Sequence, residues 1–188
     1  MRCRLVGSEM CIRDSMQSSY SLNNYDCVFN EIISHVNPGS ILEIGILDGY
    51  SLNAFIKYRQ KNCKITAIDL FDKYEYKNAN YEEIINKFDN VNGIHIEYGD
   101  FYNFHKNCSN FDLIHIDISN DANTYKYAIQ NYLPIANKAL MLEGGSVERD
   151  SVDWMVKYNK PKINDYLISI KNTYPHKIYK DFPSLTVF

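Results

Sequence analysis

Five acidic residues stand inside or just past short apolar runs: Glu43, Asp69, Asp100, Asp117 and Glu143. A short carboxylate held at such a place accepts hydrogen bonds from sugar hydroxyls, takes a proton from a reacting hydroxyl, or pairs with a second carboxylate around a divalent ion. The first lies in Ile41-Leu42-Glu43-Ile44-Gly45-Ile46-Leu47-Asp48-Gly49-Tyr50-Ser51, a β-branched run that leads into two glycines four apart and then a helical pattern. Such a turn lets backbone N–H groups approach a small ligand. Asp69 closes the next apolar run, Ile65-Thr66-Ala67-Ile68, twenty residues after Gly49. A doubly wound sheet puts a ribose-binding carboxylate there, with Asp72 as the nearby competitor. Together the turn and Asp69 indicate a nucleoside-bearing cofactor.

The elements that must position these acids follow from periodicity. Val28, Phe29, Ile32, Ile33 and Val36 fall at helical spacing, and Asn37-Pro38-Gly39 stops that helix before the first strand. The same period returns around Leu52, Ile84, Tyr125 and Ile163. Between these lie runs suited to buried strands, at 41–46, 65–70, 94–98, 113–116 and 139–142. Strand and helix alternate, which implies right-handed crossovers and a mostly parallel sheet. The runs 176–179 and 185–188 break the rhythm, because residues 180–184 are too few for a crossover helix, so they pair as an antiparallel hairpin. The expected fold is α/β and Rossmann-like: a doubly wound, mostly parallel seven-stranded sheet with a C-terminal antiparallel hairpin and helices on both faces.

Residues 1–15 differ in composition from the remainder of the chain, holding three of the five arginines, none of the fifteen lysines and no Asn. From Leu5 to Ser15 they resemble a translated sequencing-library adapter, so the segment is read as non-native, or as a disordered arm, and set aside from the fold. The native start is then Met16, or the gene is truncated there. Residues 16–188 are expected to form a single domain, with an N-terminal helix region at 16–39 and a cofactor-binding core at 40–188. Without the segment the net charge goes from −3 to −4 and three cysteines remain, Cys27, Cys63 and Cys108, with no metal or disulfide spacing. The lack of a basic stripe argues against a nucleic-acid partner, and the lack of a long apolar run or leader argues against a membrane, so a cytoplasmic location is expected. Helix faces that cover a sheet and those that meet another subunit look alike, which leaves a homodimer open.

Glu43-x-Gly45-x-x-x-Gly49, the acid at Asp69, Gly99-Asp100, and Asp117 after the fourth run, in an alternating pattern closed by a hairpin, resemble the class I S-adenosylmethionine-dependent methyltransferases. The resemblance covers residues 40–188 and departs from the common motif at Leu47, where a middle glycine is usual. It implies S-adenosylmethionine as cofactor, with Glu43, Gly45 and Gly49 at its methionine end, Asp69 on the ribose and Asp100 on the adenine. Asp117 is the first choice as catalytic base, with His115 on the same strand face as the other. Asp117 and Glu143 at neighbouring tips are similar to the metal pair of the metal-dependent O-methyltransferases and imply a Mg²⁺ site. The next position in that pattern is Gly144, so Asp121, Asp150 or water would have to complete it. Arg149, beyond a glycine pair, and Trp154 are the candidate residues on the substrate.

The expected activity is methyl transfer to a small-molecule acceptor, at a hydroxyl oxygen of a sugar or polyol. Holding the acceptor in line supplies most of the acceleration, and a base or a metal ion supplies the rest. The alternatives are an NAD(P)-dependent oxidoreductase, which shares the glycine turn and the acid after strand two, and a module that binds a nucleoside cofactor without catalysis.

Overall fold

The run Ser40–Ile44 buries four of its five residues, as a strand covered on both faces requires. In the computed structural model, which describes residues 18–74 and 79–188, this strand (β1) is joined by β2 (Lys64–Asp69), β3 (Ile94–Tyr98), β4 (Phe111–Ile116), β5 (Ala136–Glu143), β6 (Lys177–Tyr179) and β7 (Leu185–Val187). They form one seven-stranded sheet in the order β3-β2-β1-β4-β5-β7-β6. The first five are parallel, and β7 runs antiparallel to β5 and to β6. The expected sheet and its closing hairpin are therefore present. The segment 1–15 lies outside the described residues.

The helices are α1 (Ser19–Leu22), α2 (Asp26–Val36), α3 (Tyr50–Tyr58), α4 (Tyr81–Phe88), α5 (Phe101–Phe104), α6 (Ala122–Asn131), α7 (Asp153–Lys157) and α8 (Ile163–Ile170). Local chemistry sets their ends. Asn37 takes the left-handed conformation after α2 and its N–H donates to the Ile33 carbonyl, so the chain leaves the helix just before Pro38. The Asp121 carboxylate accepts from the N–H groups of Asn123 and Thr124 at the start of α6. The four or five residues of α1, α5 and α7 cover too little of a turn pattern to be seen as a period.

Alternation along the strands sends side chains to two cores. Ile41, Ile65, Ala67, Leu113 and Met141 pack under Tyr20 and under Phe29, Leu52, Phe55 and Ile84 of α2 to α4. Leu42, Ile44, Ile68, Ile114, Ile116 and Leu140 pack under Tyr125 and Ala128 of α6 and Leu167 of α8. The first face carries the polar exceptions: Glu43 lies opposite His115 in register, and His115 opposite Met141. Asp117 and Glu143 come two residues further along the same alternation, at the strand tips.

Candidate active site

The turn after β1 is built on backbone that only glycine adopts freely. Gly45 has φ +92°, and a Cβ there would stand 2.0 Å from the Asp117 carbonyl oxygen. The β1 run therefore ends at Ile44 and not at Ile46 as periodicity suggested, because Ile46 turns its N–H to Oδ2 of Asp69 at 2.7 Å. Gly49 has φ +75° and backs onto the Phe88 ring. Leu47 is also left-handed, at φ +48°, so the loop keeps its course without the middle glycine. Gly45→Ala is expected to destabilise the fold by about 2–4 kcal/mol, since it combines a forbidden φ with a backbone clash. Denaturant unfolding checks this, and a loss under about 0.5 kcal/mol would show that the turn relaxes.

Asp69 ties two loops together: Oδ1 accepts from the Phe71 N–H at 2.8 Å while Oδ2 holds Ile46. Gly45 N–H donates to the Ile68 carbonyl, Gly99 N–H to the Asp69 carbonyl and Asp117 N–H to the Ile44 carbonyl, at 2.9, 3.0 and 2.9 Å. The tips of β3, β2, β1 and β4 thus lie side by side, and Glu43, Gly45, Gly49, Asp69 and Asp117 gather at one end of the sheet. Asp100 caps α5 there, accepting from the Tyr102 N–H and from the Asn103 amide. It also lines a cavity of about 440 Å³ whose wall runs along β3 through His95 and Glu97.

Glu43 is fully buried beneath the turn. Its Oε1 accepts from the Ser51 hydroxyl on α3, and its Oε2 has no hydrogen-bond partner among the described residues. Burial raises its pKa, with His115 the main opposing influence. His115 is enclosed by the rings of Tyr20, Phe29 and Phe55. An acceptor outside this wall does not reach His115, which corrects its place among the candidate bases. Asp117, at the tip of β4, is partly exposed, as are Asp69 and Asp100, whereas Glu43 and Glu143 are buried. The Asp117 pKa is raised well above the ordinary range by burial first and then by the neighbouring Glu143 charge, with Arg149 opposing.

Arg149 corrects two expectations. It is buried, and its Nε and Nη2 meet Oε1 and Oε2 of Glu143 at 2.5 and 2.9 Å. The Trp154 ring lies 5.1 Å from the guanidinium carbon. Arg149 is therefore turned inward onto Glu143 instead of reaching out to a substrate, while Trp154 covers the guanidinium and stays partly exposed. With both its oxygens on the Arg149 guanidinium, Glu143 already has its countercharge, and among the described residues no group of three or more His, Cys, Asp or Glu side chains could hold a metal ion, so the residues present do not fit the expected Mg²⁺ pair. The two possible replacements are also engaged: Asp121 caps α6, and Asp150 accepts from the N–H groups of Ile163 and Asn164 at the head of α8.

Periodicity pointed neither to Asn120 nor to Tyr20. Asn120 is fully buried and bridges the carbonyls of Ile116 and Glu143 through Nδ2 at 3.1 and 2.9 Å, joining the tips of β4 and β5. Tyr20 covers the acidic row from α1, and its hydroxyl lies 3.4 Å from Nε2 of His115. Lone side chains of this kind leave no repeating trace in a sequence.

No family model and no curated protein matches the chain. Solved structures do. The Podospora anserina methyltransferase PaMTH1, bound to S-adenosylhomocysteine, superposes with a TM-score of 0.64 at 18% identity over 92% of this chain and 79% of its own. The Streptomyces achromogenes O-methyltransferase TomG, in complex with S-adenosylmethionine, gives 0.63 at 10% identity over 93% and 81%. The Bacillus cereus O-methyltransferase, in complex with S-adenosylhomocysteine, gives 0.60 at 13% over 95% and 85%. At these identities the likeness is one of architecture, and with the strand order above it establishes that this chain has the fold of the class I S-adenosylmethionine-dependent methyltransferases.

Proposed function

We propose that the chain is an S-adenosylmethionine-dependent methyltransferase acting on a small-molecule acceptor, at a hydroxyl oxygen of a sugar or polyol. The observation that carries this is the junction of the first two tips: Asp69 grips the glycine turn through Ile46, and Glu43 lies under the same turn with an unpaired oxygen. A buried carboxylate oxygen without a partner is costly unless a bound cation or donor answers it. The cofactor, when bound, supplies an activated methyl on a positively charged sulfur. Glu43 provides negative charge beneath the turn that would hold its methionine end. Asp69, already oriented by two backbone N–H groups, has lone pairs left for ribose hydroxyls. Gly99 and Asp100 border Asp69 and close the side where the adenine would lie.

Asp117 would take the proton of the acceptor hydroxyl, because it is partly open at the tip of β4 while the two other partly open acids are engaged, Asp69 by two backbone N–H groups and Asp100 as the cap of α5, and its raised pKa makes it a better base than an ordinary carboxylate. A sugar or polyol is favoured over a phenol because the tips present the part-exposed carboxylates Asp69 and Asp117, which suit polar recognition of hydroxyl groups. Among the described residues no helix is long and apolar enough to cross a membrane. The three thiols Cys27, Cys63 and Cys108 are free, in keeping with a reducing cytoplasm.

S-adenosylhomocysteine is expected to raise the melting temperature by several degrees at saturating concentration, and NAD to leave it unchanged. Asp69→Ala should abolish most of that shift. Stabilisation by NAD alone would replace the proposal with a nicotinamide-dependent activity.

A further inference from the structure

We infer that Tyr20 is a positioning residue of the cofactor site: through His115 it keeps an N–H turned toward the Glu43 carboxylate, so that helix α1 governs the preference for a sulfonium cofactor over its uncharged product. The inference rests on the methyltransferase proposal above. It begins from a row of buried polar groups that the proposed chemistry uses only in part. Tyr20 is fully buried, and its hydroxyl has one hydrogen-bond partner given by the structure, Nε2 of His115 at 3.4 Å. The other ring nitrogen, Nδ1, has no hydrogen-bond partner, and a Glu43 oxygen stands 3.8 Å from it. That oxygen also takes the Ser51 hydroxyl, and the second Glu43 oxygen is unpaired. Three side chains from three elements thus stand in sequence, α1 to β4 to β1, and end beneath the glycine turn.

The direction of the hydrogen bonds follows from the chemistry of the groups. A phenol enclosed next to Asp117 and Glu143 stays protonated, since burial and both charges oppose its ionisation. Nε2 is the one partner the structure gives this hydroxyl, and the Glu43 oxygen 3.8 Å from Nδ1 favours a proton there, so the inferred arrangement has the phenol donating to Nε2 and the ring proton on Nδ1. The resulting N–H dipole faces Glu43 and favours its ionised form. With the tautomers exchanged, a lone pair would face the carboxylate and Glu43 would hold a proton more tightly.

Helix α1 is also fastened to the turn itself: Ser18 N–H donates to Oδ2 of Asp48 at 2.7 Å, and the Asp48 carbonyl accepts from Lys87 at 2.6 Å. The Tyr20 ring packs on Tyr25 and Phe29 at centroid distances of 5.3 and 5.1 Å, contacts that phenylalanine keeps.

Tyr20→Phe separates the hydroxyl from the ring. By isothermal titration of the full chain, the variant should bind S-adenosylmethionine about tenfold more weakly and S-adenosylhomocysteine less than about threefold more weakly, the cost of losing a favourable group beside a charge. A purely structural role would weaken both ligands alike, and that result, or no change in either, would overturn the inference. Should the variant not fold, ¹⁵N chemical shifts of His115 in the wild-type chain decide the matter: a proton on Nδ1 with bare Nε2 is expected, and the reverse refutes it. If the wild type binds neither ligand, the methyltransferase proposal itself fails, and the His115 tautomer still tests the relay.

Discussion

Arg149→Met is expected to cost about 3–5 kcal/mol of folding stability, the penalty for leaving one member of a buried ion pair uncompensated. Glu143 sits at the tip of β5 with both its oxygens on the Arg149 guanidinium, and the Trp154 ring covers that guanidinium. Burial already raises the Glu143 pKa, with Arg149 as the main opposing influence. Without the guanidinium the carboxyl escapes part of the cost by taking up a proton, so the deficit should be smaller at pH 5 than at pH 8. The double variant Glu143→Leu/Arg149→Met, which removes both charges, should recover most of the loss. Urea unfolding of the three proteins at the two pH values measures this. Equal stability of Arg149→Met and wild type at pH 8 would show that the pair is solvated and that the tip of β5 is organised by something else.

Asp117→Asn should lower kcat by about 10²–10⁴-fold while changing S-adenosylmethionine affinity by less than a few fold, as expected for loss of a general base that does not hold the cofactor. The sign of the pH effect follows from the raised Asp117 pKa. A base must be deprotonated to act, so wild-type activity should fall on the acid side through the folded-state pKa, and the variant should lack that limb. The stability effect runs the other way. A carboxyl whose folded pKa exceeds its unfolded one binds its proton more tightly in the native state, so its contribution is fully present below the unfolded pKa and is lost as pH rises, by at most ~1.4 kcal/mol per pH unit. Asp117→Asn should therefore gain stability relative to wild type between acid and neutral pH. Retained turnover on an identified acceptor would remove Asp117 from the mechanism.

The parts of this site that repeat or punctuate are readable in the sequence. Runs such as Ile41–Ile44 and Leu113–Ile116 are apolar but for Glu43 and His115 because they lie inside the sheet and are covered on both faces, and the short link 180–184 could only be a hairpin. Gly45 and Asp69 are readable because a tight turn and an acid at a strand end each have few physical substitutes. The errors came where partners are brought together by the fold. Periodicity extended β1 through Ile46, but the Gly45 turn hands the Ile46 N–H to Asp69 instead of a neighbouring strand. Glu143 and Asp117 read as a metal pair because they stand at neighbouring tips, and Arg149, six residues on, reads as a substrate residue instead of as the partner of Glu143. The left-handed Gly144 and Gly145, at φ +104° and +118°, fold it back onto Glu143. Tyr20 and Asn120 left no signal at all, since each acts as a single side chain delivered by a loop or a four-residue helix.

The central claim, that the tips of β1, β2 and β4 gather their acids around a sulfonium cofactor, is tested most directly by a crystal structure with S-adenosylhomocysteine bound. The account predicts ribose hydroxyls on the Asp69 carboxylate, the methionine end against the Gly45–Gly49 turn and the sulfur facing Asp117. A ligand seated instead in the cavity along His95 and Glu97, with Asp69 contacting only Ile46 and Phe71, would contradict it.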